Sequence, residues 1–561
     1  MTTTLRRPSR TRPRAVPLLA TTLLVLLGLL LTGSGTASAQ FAVPPFIGAN
    51  DIELQVLTEE TQDPTAIDVA ADGRVVFVER KGAVKVILPS GDVVTAGRLP
   101  TAANECDDCP DDLNEGGLHG LLLSPDFDVD NTIYLYYSVP GSQGVAPYPA
   151  KHPDAGGTQA LEGINRLSSF VLGDDNVLDL DSEQIVFENA VEWLECCHYG
   201  GDLDLMPDGT LVISNADDTN PFESSGYAPI DERRNPSDVF DRDTHREAFD
   251  AQRTSANKAD RRGKVLRINL DGSIPDGSVP GVVANPFVDD PDADPAVWAM
   301  GFRSDYRIAV HQQTGTVYVG NVGPDASNAN AQRGPAGHDE LDVVPPGGGT
   351  NHGWPYCIAD NQPYIDYDFE TGTSGEPFDC SGYTEPALYY SPTLSVQWPQ
   401  LRAGGRTSMT GVVYDYAGDG ALALPDRLQQ KLLWFEWSRN MIFSIPVEED
   451  GSLDTFVTSV QHESALAPRH PHDAAIGPDG AVYLVEYGTG FWNNGNSRIS
   501  RIACSGCQPE AVSAPTQYVV GAAAPAPTAP ASGDRTPLVA SSALVVVAGI
   551  ALSQRRKQVV R

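Results

Sequence analysis

Residues 196–218 read CCHYGGDLDLMPDGTLVISNADD, which packs a titratable ring, a tight turn and a strand into one short run. His198 is followed by Gly200 and Gly201, then by the alternating Leu203 and Leu205, a Pro207-Asp208-Gly209 turn and the β-prone Leu211, Val212 and Ile213. A histidine is thereby set at the mouth of a strand, and Asp217 and Asp218 close the run at its far end. A hairpin folding back on the turn brings a carboxylate to the imidazole, the arrangement of a general base held by an orienting acid. Taken alone, such a histidine reads first as a satisfied structural residue, so the elements that carry it have to be read with it.

Those elements recur. An apolar strand, an Asp-Gly or Asp-Phe turn, a second apolar strand, a polar loop and a strand ending in Arg-Ile or similar appear at 66–88, 118–172, 203–269, 297–344, 411–447 and 472–502. Each of these six copies is a short antiparallel sheet that cannot bury both faces alone, so radial stacking into an all-β, six-bladed β-propeller is the expected fold. An early strand at 51–58 would complete the last sheet and close the ring. A stacked β-sandwich is the alternative, and the sixfold recurrence speaks against it. Spacing is irregular, with the longest loops at 221–264 and 355–406; in propellers such loops crowd one face, where function resides.

The ends of the 561-residue chain are of another kind. Arg6, Arg7, Arg10, Arg12 and Arg14 precede an apolar run that closes on Ala37-Ser38-Ala39, so 1–39 reads as a secretory signal peptide. Removing its five arginines takes the formal charge from −36 to −41, which argues against nucleic acid or anionic lipid as partners. Residues 40–510 have globular composition, 511–536 form an Ala/Pro-rich linker, and 537–554 are an uncharged apolar segment followed by Arg555, Arg556 and Lys557 in a basic tail, 555–561. The sixteen residues 537–552 would rise about 24 Å as a helix, somewhat short of a hydrocarbon core of about 30 Å. No LPxTG sequence precedes them, so a retained membrane anchor is expected, with the globular part on the extracellular face. Eight cysteines, an even number in an exported chain, favour disulfides over zinc.

The ordered set GLHGLLLSPDF (117–127), CCHYGGDLDLMPDG (196–209), YAPIDER (227–233), DAQRTSAN (250–257), RGKVLRI (262–268), MGFRSDYRI (300–308), VGPDA (322–326), DELDVV (339–344), NHGWPY (351–356) and GPDGAVYLVEYGTG (477–490) resembles the secreted glucose/sorbosone dehydrogenases. These are soluble-type quinoproteins that use pyrroloquinoline quinone (PQQ) and Ca²⁺ on a six-bladed propeller, and the resemblance covers most of 45–505. It implies that His198 is the general base for the anomeric hydroxyl, that Asp217 holds its ring, and that Arg303 faces the quinone oxygens. It implies further that the carbonyls of Gly323 and Pro324 bind the cofactor's Ca²⁺. Asp339 and Glu340 match the family's acidic pair, set off from Gly323-Pro324 by the fourteen residues 325–338; they hold either a second, structural Ca²⁺ or a turn. Ser304 stands where the family's GxRN motif has asparagine, and Asp202 where relatives often carry Arg or Ser. His470 and His472, in RHPHD, stand where some relatives place two arginines near the cofactor carboxylates; Arg406 and Arg439 are further candidate cations there.

Cys357 with Cys380 would staple the long loop after NHGWPY, whereas Cys196 and Cys197 could pair with each other or elsewhere. Three activities compete on this reading. The first is oxidation of an aldose at C1 with electrons passed to an external acceptor. The second is a propeller ectodomain that has lost its cofactor and binds carbohydrate or protein. The third is a Ca²⁺-dependent lactonase, which would need carboxylates and amides arranged blade by blade around the central channel, and no such set is visible in the sequence.

Overall fold

Runs such as VVFVE at Val75–Glu79 and VYLVE at Val482–Glu486 are buried at every position, as strands covered on both faces must be. They are the second strands of two of six four-stranded antiparallel sheets. The computed structural model describes residues 51–104, 115–140, 163–191, 197–233, 247–391, 405–456, 459–490 and 494–504. The segments 1–39, 511–536, 537–554 and 555–561 lie outside the described residues, as do Cys106, Cys109, Cys196 and Cys507. The chain divides into one unit ending at Gln508 and another from Pro509 to Arg561; the sheets belong to the first.

The innermost strands of blades one to six are Pro64–Val69, Leu118–Leu123, Leu203–Leu205, Arg307–Val310, Ser408–Tyr414 and Pro471–Ile476. Each is followed outward by the next strands of its sheet, in sequence order. Blade six takes its outermost strand from the start of the described chain: Ile52–Thr58 pairs with Arg498–Cys504, Ile52 opposite Cys504, and the ring is closed. Two assignments differ from the sequence reading. Leu388–Tyr390, the outermost strand of blade four, lies inside 355–406, which reads as loop in the sequence. Val297–Met300 is the outermost strand of blade three, paired with Lys264–Ile268, and not the first strand of the next repeat. Its apolar VWAM resembles an inner strand because Trp298 is packed between blades three and four. Among the described residues the α-helix is limited to Phe127–Asp130.

The core lies between blades. One apolar cluster fills each interface, for example Ile67, Phe77, Tyr483 and Val485 between blades six and one. Two polar devices hold the ring at its two ends. At one end, the second strand of a blade finishes in a buried polar side chain that accepts an N–H from the loop entering the same blade. Gln62 donates to Glu79, Gly117 to Ser138, Arg303 and Ser304 to Asn321, Thr407 to Glu436 and Arg469 to Glu486. Blade three departs from this: Asn215 donates to Arg261 O and accepts from Tyr136, so its entry loop, which carries His198, is held otherwise.

Toward the other end, inner-strand carboxylates reach across to the neighbouring blade. Asp68 accepts Leu123 N, Asp473 accepts Ile67 N, Asp202 accepts Ile308 N and Asp204 accepts Val310 N, all at 2.7–3.0 Å. Arg307 plugs the axis: its guanidinium bonds Asp202, His472 O, His119 O and Thr65 O, tying blade four to blades one, two, three and six.

Candidate functional site

His198 sits on the turn entering blade three, and the backbone there is unusual. Cys197 and His198 have φ of 90° and 62°, a left-handed conformation that costs a non-glycine residue about 1–3 kcal/mol. Three restraints hold it. His198 N donates to Glu115 Oε2 at 2.6 Å, Asp218 N donates to His198 O at 3.1 Å, and Cys197 is disulfide-bonded. The glycines that follow are required by space: a Cβ on Gly200 would lie 2.8 Å from Ala216 N, and one on Gly201 would lie 2.4 Å from the Tyr136 ring.

The turn delivers His198 Nδ1 to 2.7 Å from Asp217 Oδ1, and both side chains are buried. A carboxylate only accepts, so Nδ1 carries the proton and Nε2 is left as the basic nitrogen. Asp217 is itself fixed: Thr219 N donates to Oδ1 at 3.0 Å and Trp354 Nε1 to Oδ2 at 2.7 Å. Asp217 N also donates to Arg303 O at 2.9 Å, joining the acid's strand end directly to the loop that carries the arginine. Arg303 Nη1 is spent on Val322 O at 2.9 Å.

His198 and Arg303 line one cavity of about 620 Å³ on the face where the inner strands begin, together with Phe222, Arg406, His472 and Tyr487. Phe222 is largely exposed at its rim. Within this lining, Arg406 Nη1 and both ring nitrogens of His472 find no hydrogen-bond partner among the described residues. The Arg406 Nη1 donor and the single N–H of the His472 ring fit an anionic, oxygen-rich ligand, since leaving a buried donor unpaired costs about 1–3 kcal/mol. His472 contributes no charge, because burial first, and then Arg307, His119 and His470, push its pKa well below the ordinary value.

The other expected residues are distributed differently. Arg439 stands behind the wall, its Nε donating to Gly405 O at 2.6 Å while it pairs with Glu436 at 3.6 Å. His470 stacks on Trp437 with ring centroids 3.7 Å apart. Pro324 O accepts from Arg406 Nη2. Asp339 and Glu340, adjacent in a strand, point to opposite faces and do not share a site. Asp339 accepts Gly323 N at 3.0 Å and Ser408 N at 2.9 Å and lies 3.4 Å from Arg406. Glu340 accepts Ala359 N at 2.5 Å and Asn321 Nδ2 at 3.1 Å, and burial, with Asp342 beside it, raises its pKa well above the usual value. Among the described residues no group of three or more His, Cys, Asp or Glu is placed to hold a metal ion.

Glu115, Asn321 and Trp354 carry weight that sequence reasoning did not assign. Trp354 lies inside NHGWPY, Glu115 stands two residues before GLHGLLLSPDF, and the sole sequence mark of Asn321 is that second strands end in a polar residue. The expected Cys357–Cys380 bridge is present. The far end of the channel does gather Asp68, Asp202, Asp204 and Asp473 around a cavity of about 210 Å³, a set not visible in the sequence. Each is already spent on backbone N–H groups between blades, which makes them staples of the ring.

A family model described as glucose/sorbosone dehydrogenase matches residues 61–404. The chain belongs to that family. The aldose sugar dehydrogenase YliI of Escherichia coli is 26% identical over 242 residues, 43% of this chain and 46% of its own. Quinoprotein glucose dehydrogenase B of Acinetobacter calcoaceticus is 24% identical over 318 residues, 55% of this chain and 53% of its own. The matches thus span about half the length of these curated relatives. The solved apo form of the soluble aldose sugar dehydrogenase of Escherichia coli has a TM-score of 0.50 at 17% identity, covering 81% of this chain and 100% of that one; it shares the propeller fold.

Proposed function

We propose that the chain is a PQQ-dependent dehydrogenase that oxidises an aldose at C1 and passes the electrons to an external acceptor. The observation that carries this is the oriented His198–Asp217 pair opening, beside Arg303, on a cavity whose wall holds unsatisfied buried nitrogens. When bound, PQQ supplies the quinone that accepts a hydride from C1. His198 Nε2 takes the proton of the anomeric hydroxyl, and an imidazole suits this because it changes charge near neutral pH. Asp217 keeps Nδ1–H in place and stabilises the imidazolium. Arg303 supplies fixed positive charge where an oxyanion develops, in a cavity whose burial strengthens that interaction. Arg406 and His472 would hold cofactor oxygens. The Ca²⁺ that accompanies the quinone in the family would be held by the carbonyls of Gly323 and Pro324, the latter shared with Arg406.

The segments at both ends of the sequence support placing this activity on the outer face of the cell membrane, tethered by 537–554. One feature favours a second reading, an ectodomain that binds carbohydrate or protein: His472 is neutral, and by the resemblance it stands where some relatives have an arginine. The test is to add PQQ and Ca²⁺ to the purified protein and follow the absorbance of bound quinone. Bleaching by aldoses is expected; no bound quinone at all would leave the ectodomain.

A further inference from the structure

One loop outside the four-stranded sheets supports both halves of the site. Residues 351–359, NHGWPYCIA, run beside the end of blade three: His352 N donates to Met300 O at 2.9 Å and Trp354 N to Gly301 O at 3.1 Å. Gly301 admits this approach, since a Cβ there would lie 2.3 Å from Asn351 Oδ1. From the loop, the Trp354 indole donates to Asp217 Oδ2 at 2.7 Å. His352 Nδ1 lies 3.2 Å from Asp342 Oδ1, Asp342 Oδ2 accepts from Asn321 Nδ2 at 3.1 Å, and Asn321 Oδ1 accepts the N–H groups of Arg303 and Ser304 at 3.2 Å. The His352 ring stacks on Phe302, next to Arg303, with centroids 4.8 Å apart. Apolar packing of Trp354 against Ile230, Ile358 and Tyr364, and the Cys357–Cys380 bridge, fix the loop itself.

We infer that the 351–359 loop is the positioning element of the oxidising site, with Trp354 setting Asp217, and through it His198, while His352 sets Arg303 through Asp342 and Asn321. This rests on the reading of His198 as the base. Asp217 Oδ1 already serves two donors, and Trp354 is the donor that pins Oδ2. Without it the carboxylate can turn about its Cβ–Cγ bond and withdraw Oδ1 from the imidazole. A small misplacement of a catalytic group is enough to slow turnover by about tenfold to a hundredfold.

The test compares wild type with W354F in the full chain. Turnover of the quinone-loaded W354F protein should fall about tenfold or more, with KM and quinone affinity changed less than about twofold. In quinone-free protein, the far-downfield NMR proton of the His198–Asp217 hydrogen bond should be present in wild type and lost to exchange in W354F. If W354F does not fold, benzothienylalanine at 354 keeps the fused ring and replaces N–H by sulfur, and the same two losses are expected. Wild-type turnover and an unchanged proton in a folded variant would overturn the inference, as would a wild type lacking that proton. If wild type oxidises no aldose, the proposed function fails, and the proton resonance alone still decides the positioning role.

Discussion

Arg303 is fixed by its backbone before its side chain acts: N is held by Asn321, and the carbonyl by Asp217 N. A guanidinium is a planar fork of donors, whereas an ammonium of equal charge is a point. R303K should therefore lose nearly as much turnover as R303A, measured at saturating quinone; a lysine variant close to wild type would show that charge alone suffices. At this scale the sequence disclosed the residues that are near one another in the chain. His198 and Asp217 are 19 residues apart, and a single hairpin joins them. Trp354 and Asp217 are 137 apart, and Glu115 and His198 are 83 apart; only the closed ring brings these supports together.

Strands were legible because both faces of each middle strand are covered, which writes continuous apolar runs between turn residues. The misplaced strands, Val297–Met300 and Leu388–Tyr390, each follow a long excursion after the preceding strand of their sheet, where sequence spacing no longer reports sheet order. The polar residues at strand ends are not legible in the sequence, because each makes sense only against its entry loop. The stapling carboxylates give a pH signature. Burial outweighs the N–H groups of Leu205 and Val310 and pushes Asp204 up to about 8. A carboxyl raised in the folded state stabilises fully below its unfolded value, about 4, and that contribution is lost as pH rises through the folded value. Relative to D204N, wild type should lose stability progressively between pH of about 4 and 8 in urea melts. A difference independent of pH would show that the Asp204 carboxyl titrates alike in the folded and unfolded chain, with no raised pKa.

Across the whole molecule, the ring buries its staples at one end of the axis and opens the pocket of His198 and Arg303 at the other, with Arg307 between them. The formal charge of −36 gives a field that repels polyanions and would slow the encounter with the proposed anionic cofactor, most at low salt. The proposed tether makes an expectation for the host: full-length protein should sediment with membranes and be open to added protease, and its recovery free in the medium would remove the anchor. Whether the pocket oxidises sugars is tested most directly by single-turnover reduction of bound quinone by an aldose, comparing wild type with H198A at equal quinone occupancy. Removal of the base should slow that reduction by about 10²- to 10⁴-fold while quinone binding is unchanged. Equal rates in the two proteins, or quinone that binds wild type and is never reduced, would contradict it.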